Sequence, residues 1–159
     1  LSAEARVGGM LSLDQTKTAS AFSKTRGNYP WPTSGIVDVR FGQTIDLGGG
    51  ATVVQRGIDV RAPSGTPVHA IAAGQVVFAD WLDAYGQLVI IDHGERYHTL
   101  AAHLGAISVQ VGDLVDDNTI VGLVGDTGSL RGTALYFELR ENGIPIDPVL
   151  WLQSIGAPE

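Results

Sequence analysis

Cysteine is absent from this chain of 159 residues, which excludes disulfides, thiol catalysis and cysteine-ligated metal. Lysine is nearly absent too: Lys17 and Lys24 are the only two. Charged residues make up only 17% of the chain, and 10 basic against 17 acidic residues leave a net charge of −7. That balance argues against a nucleic-acid partner, which needs a basic footprint to meet phosphates. It equally argues against a polybasic membrane patch. No apolar run approaches the about 20 residues of a membrane-spanning helix. The chain begins at Leu1 without a signal-peptide pattern, which suggests a trimmed or processed product.

What is abundant is glycine, 21 residues of it, set between short β-type runs. Residues 1–29 stand apart. They hold both lysines, a Gly8-Gly9 pair and a polar stretch from Leu13 to Lys24, and they read as an arm or linker in which a weak, regulatory helix is one option. Pro30-Trp31-Pro32 punctuates the chain, and residues 30–159 are expected to form one domain. Strands are expected over Ile36–Phe41, Val53–Val60, Val68–Ile71, Gln75–Trp81, Gln87–Asp92, Tyr97–His103, Thr119–Val124 and Ala134–Arg140. Turns are expected at Pro63-Ser64-Gly65, Ala73-Gly74, His93-Gly94 and Asn142-Gly143, and a capped helical turn after Asp147-Pro148. The fold class is mainly β, an antiparallel sheet or sandwich.

Several chemistries fail on the residues. Side chains alternate faces along a strand, so His98 and His103, five apart, are expected on opposite faces and unable to share an ion. His93, in Asp92-His93-Gly94-Glu95, reads as a surface turn residue, and His69 belongs to another strand. Gly112-Asp113-Leu114-Val115 with Ile120-Val121-Gly122 is similar to a lipoyl- or biotinyl-carrier hairpin, but no lysine lies in the β region to carry the cofactor. Ser34, Ser64, Ser108 and Ser129 sit in turns, and no Gly-x-Ser-x-Gly elbow surrounds any of them.

A series of strings runs in order through residues 30–152: Arg56-Gly57-Ile58-Asp59-Val60-Arg61-Ala62-Pro63, Gly74-Gln75-Val76-Val77-Phe78-Ala79, Val89-Ile90-Ile91-Asp92-His93-Gly94, Thr99-Leu100-Ala101-Ala102-His103-Leu104 and Leu135-Tyr136-Phe137-Glu138-Leu139-Arg140. This series resembles the LytM, or lysostaphin-like, zinc peptidases of the cell wall. The resemblance implies their antiparallel fold. It also implies a zinc site built from a His-x-Gly-x-Asp motif and the second histidine of a later His-x-His, with further histidines as catalytic helpers. Such hydrolases use three protein ligands and leave one position for an activated water. Here Gln55 stands at the first ligand position, Asp59 matches the second, and Tyr136 stands at the third. Ala134 and His103 occupy the helper positions. A neutral amide and a phenol of pKa near 10 are poor zinc ligands. The expectation is a degenerate domain that is not an enzyme and takes no cofactor.

Tyr29-Pro30-Trp31-Pro32, Phe78-Ala79-Asp80-Trp81-Leu82 and Ala134-Leu135-Tyr136-Phe137-Glu138 resemble, in particular, the EnvC-like murein hydrolase activators. That likeness implies a periplasmic or cell-envelope protein that binds an N-acetylmuramoyl-L-alanine amidase through the former active-site groove. Septal peptidoglycan would be split as a result. Groove residues implied are Gln55, Arg56, Asp59, His103, Arg131 and Tyr136, with Trp81 and Tyr85 as aromatic anchors. The likeness also implies an upstream coiled coil, absent from these residues, that binds a membrane division complex. Alternatives are a peptidoglycan-binding targeting module and a residual zinc endopeptidase.

Overall fold

The computed structural model describes residues 2–11 and 22–154, so much of the polar stretch from Leu13 to Lys24 lies outside the described residues. One large antiparallel sheet organises the chain. Its strands are β1 (Ile36–Val39), β4 (Ile58–Arg61), β5 (Pro67–His69), β6 (Gly74–Leu82), β7 (Gly86–Gly94), β8 (Tyr97–Ile107), β9 (Leu114–Val115), β10 (Ile120–Val124), β11 (Leu135–Glu141) and β12 (Ile144–Ile146). The main order is β1-β4-β11-β8-β7-β6-β9, with β10 joining β8 to β5 and β12 extending β11. A separate ribbon, β2 (Thr44–Gly48) with β3 (Ala51–Val54), is largely exposed.

Alternation along the strands builds two cores, one on each face. Ile58, Val60, Val89, Ile91, Ala101, Leu135, Phe137 and Leu139 fill the larger one. Leu88, Ile90, Leu100, Ala102 and Tyr136 point the other way into a smaller core. Helix α1 (Ala3–Met10) closes that smaller core with Val7, which is fully buried, and Leu11 follows just beyond the helix. The Ser2 hydroxyl caps α1 by accepting from the Ala5 amide at 3.1 Å. On the opposite face Phe22 is fully buried among Tyr29, Tyr97, Trp151 and His93, with ring centroids 4.5–5.5 Å away. Residues before Pro30 therefore pack into both cores.

Four expectations change. The single strand over Val53–Val60 splits at Gln55-Arg56-Gly57, because β3 leaves the sheet to pair with β2. Gly57 makes that departure possible: a Cβ there would lie 2.3 Å from the Phe137 carbonyl oxygen. The hairpin turn after β7 falls at Glu95-Arg96, both with positive φ (53° and 67°), rather than at His93-Gly94. His93 is consequently a fully buried strand residue, not a surface one. Its ring nitrogens bond the Ala73 carbonyl and the Thr99 hydroxyl, both at 2.8 Å, and burial pushes its pKa down to about 4.

The fourth concerns His103. Opposite Gln87 and Val89 of β7 stand Leu104 and Ala101 of β8, so β8 carries one extra residue in a bulge. His103 sits within it at φ 60°, a left-handed conformation that histidine tolerates better than most residues. The bulge resets the alternation: Ala102 faces the small core, and Leu104 faces the large one. His98 faces the small-core side as the cross-strand partner of Arg140, and His103 is turned to that side as well. Opposite faces were the wrong expectation, because a bulge breaks the period of two.

The Asn142-Gly143 turn, with φ 54° and 77°, matches its expected place between β11 and β12. So does the Asp147 cap, whose carboxylate accepts from the Val149 amide at 3.0 Å. Phe22→Ala should lower unfolding stability by about 3–5 kcal/mol in a denaturant titration, since it empties the middle of a four-sided aromatic cage.

Candidate functional site

Strand β11 lies between β4 and β8, with Tyr136 opposite Asp59 on one side and Ala102 on the other. These residues share the small-core face, where Tyr136 lines a groove of about 280 Å³. Gln55, Arg56, Tyr85, His103, Arg131 and Tyr136 line it. Of the sequence-derived set, Asp59 lies beneath that lining, 4% exposed. Trp81 is elsewhere. It is half exposed, one residue out of phase with Leu82, which packs into the small core, so it projects from the other face. Ala134 is buried just before β11, its amide donating to the Gly125 carbonyl at 3.2 Å.

Gln55 and Asp59, two of the three positions that the resemblance sets against zinc ligands, are engaged with each other and with Arg131. Arg131 Nη2 donates to Asp59 Oδ2 at 2.8 Å and to Gln55 Oε1 at 3.3 Å. Gln55 Nε2 donates to Asp59 Oδ1 at 3.0 Å. A guanidinium thus supplies the positive charge that the carboxylate needs. The Tyr136 hydroxyl donates to Glu138 Oε2, and burial together with the Glu138 charge drives the phenol pKa far up. His103 donates through Nδ1 to the Thr127 carbonyl at 2.8 Å, and burial lowers its pKa, keeping the ring neutral at pH 7. This donor set does not fit zinc: an amide, a carboxylate already paired with arginine, and a phenol held protonated. No group of three or more His, Cys, Asp or Glu side chains suited to a metal occurs among the described residues.

A second network, not anticipated from the sequence, starts from the same strand. Tyr136, Glu138 and Arg140 are two apart and share the groove face. Arg140 Nε donates to Glu138 Oε1 at 2.7 Å, and both residues are almost wholly buried. That bond aims the other end of the guanidinium outward. Arg140 Nη1 and Nη2 each donate to one oxygen of Glu4, both at 3.0 Å, in a bidentate pair. The Tyr85 hydroxyl donates to Glu4 Oε1 at 3.1 Å, and Arg56 Nε stands 3.3 Å from the same oxygen. Burial works to raise the Glu4 pKa, but Arg140, Arg56 and Tyr85 outweigh it and hold the carboxyl below its usual range. Burial pushes the Tyr85 phenol up to about 12. The signal for Glu138 and Arg140 was present as a polar alternation on a strand. For Glu4 there was none, because its partner arginine is 136 positions away.

A family model described as Peptidase family M23 matches residues 53–148. The murein hydrolase activator EnvC of Escherichia coli is 35% identical over 127 residues, covering 80% of this chain and 29% of that protein. The DD-carboxypeptidase/endopeptidase Mpg of Neisseria meningitidis is 44% identical over 93 residues, covering 58% of this chain and 21% of that protein. Among solved structures, a zinc-containing peptidase from Vibrio cholerae superposes with a TM-score of 0.71 at 28% identity, over 77% of this chain and 39% of that one. The chain spans less than a third of the length of these two curated relatives. From the match over β3 to β11 and the shared fold, the chain belongs to peptidase family M23.

Proposed function

We propose that this domain is a non-catalytic activator of a cell-wall N-acetylmuramoyl-L-alanine amidase in the bacterial envelope, gripping the amidase through the groove and so promoting septal peptidoglycan splitting. One observation carries the reading: a helix, α1, is already docked on this face by a buried valine and a carboxylate set in a guanidinium fork, and its Ala3 and Glu4 wall one side of the groove. A surface that grips one helix suits a helical segment of a partner. The Arg131–Asp59–Gln55 cluster supports the non-catalytic half, since it replaces the metal's charge with a side chain. The resemblance to the murein hydrolase activator EnvC supports activation of a hydrolase over the peptidase activity of Mpg.

On this reading α1 is a built-in competitor. Its eight residues include Gly8 and Gly9, each unfavourable by about 1 kcal/mol against alanine in a helix. A helix this short is marginal in water and folds only while docked. Undocking therefore releases helix and contacts together, and the apparent affinity for a partner scales with the open fraction.

Three measurements test this. Mixed with an amidase and dye-labelled cell wall, the chain should increase dye release, and Val7→Asp should increase it further by undocking α1 from this face. No stimulation by either chain would overturn the activator reading, as would muropeptide cleavage by the chain alone with stoichiometric zinc. Gly8→Ala with Gly9→Ala should act oppositely. Neither glycine has a neighbour within 4 Å of an added Cβ, so the pair stabilises α1 by up to about 2 kcal/mol and should cut stimulation several-fold. The latch should also be pH-dependent. Because the Glu4 pKa is lowered by docking, its stabilisation is present above the free glutamate value and lost as pH falls through the docked one. The melting difference between the wild type and Glu4→Gln should thus be full at pH 7 and shrink progressively as the pH falls below the free glutamate value.

A further inference from the structure

Resting on the groove reading above, the geometry points to the chemistry of the occupant: we infer that the partner segment is a short amphipathic helix bearing a carboxylate for the Arg140–Tyr85–Arg56 fork and a β-branched apolar side chain three residues later. The contacts of α1 are the template. Glu4 and Val7 are three apart, so they share one helix face, and Leu11 continues that stripe a turn beyond. Val7 is fully buried in the apolar cluster that also holds Leu82, Leu88, Ile90, Leu100 and Ala102.

Charge makes the carboxylate a requirement. With α1 withdrawn, this face holds the guanidiniums of Arg56 and Arg131 at the groove and of Arg140 beside it, against the carboxylates of Asp59 and Glu138. Glu138 engages the Nε edge of Arg140 and Asp59 engages Arg131, which leaves the Nη edge of Arg140 and the head of Arg56 to be met. A neutral helix would cover these guanidinium groups without pairing them, which is strongly unfavourable for a buried charge. A basic one would be repelled. The chain as a whole is at −7, so this face is a local positive island suited to an acidic ligand.

The test uses the full chain carrying Glu4→Arg and Val7→Asp, whose own arm has lost both contacts. A fluorescein-labelled peptide of residues 2–11, acetylated and with alanine at both glycines to hold the helix, is titrated with it. The native-charge peptide should bind, its Glu4→Gln version at least tenfold more weakly, and its Val7→Asp version not detectably. Equal affinity of the native and Glu4→Gln peptides would overturn the inference. So would no binding of any peptide to the cooperatively folded double variant, or displacement of the peptide by purified muropeptides, which would assign the fork to wall peptides. Amidase stimulation without carboxylate preference would leave the activator reading standing and remove this one. Carboxylate-dependent binding without stimulation would do the reverse.

Discussion

Glu138 and Arg140 form an ion pair in the middle of the sheet, on a strand with neighbours on both sides, and almost no water reaches either group. Such a pair is a weak source of net stability, because two charges must be desolvated to make it, but removing one member leaves the other uncompensated. What the pair contributes here is orientation. Glu138 accepts from Tyr136 on one oxygen and from Arg140 on the other, so a single carboxylate fixes the phenol that lines the groove and the guanidinium that meets Glu4. The docking of α1 through Glu4 follows from that fixed fork, and so does the proposed preference for an acidic partner helix.

The groove itself comes from departures from regular β structure. Gly57 lets β3 peel away, which leaves Gln55 and Arg56 at the rim instead of in a ladder. The bulge at His103 turns that side chain toward the groove, while the Thr127 carbonyl holds its ring. Arg131 enters from the loop before β11 and neutralises Asp59. Each feature is local, yet together they set a self-satisfied polar cluster of Gln55, Asp59 and Arg131 beside an apolar cluster.

Much of the sheet was readable in advance because alternation and glycine turns are local signals. The strands from Gln75 to Arg140 fall close to their expected places, as do the Asn142-Gly143 turn and the Asp147 cap. The short strands β2, β9 and β12 were missed. His93 was misread because histidine beside glycine resembles a turn, whereas tertiary packing against Phe22 makes it core. Six of the groove positions taken from the family pattern line the groove, and Trp81 does not, since its phase is set by the bulge in β6.

By itself, the sequence determined the family and the mainly antiparallel sheet. Those properties are carried by ordered motifs and by a period of two, both of which survive in one dimension. Only the tertiary structure decided what individual residues do. That Arg131 neutralises Asp59, that His98 and His103 share a face, and that Glu4 closes onto Arg140 all depend on pairings between distant positions. No local pattern encodes such pairings, because they are selected by which buried charges must be met once the sheet has formed.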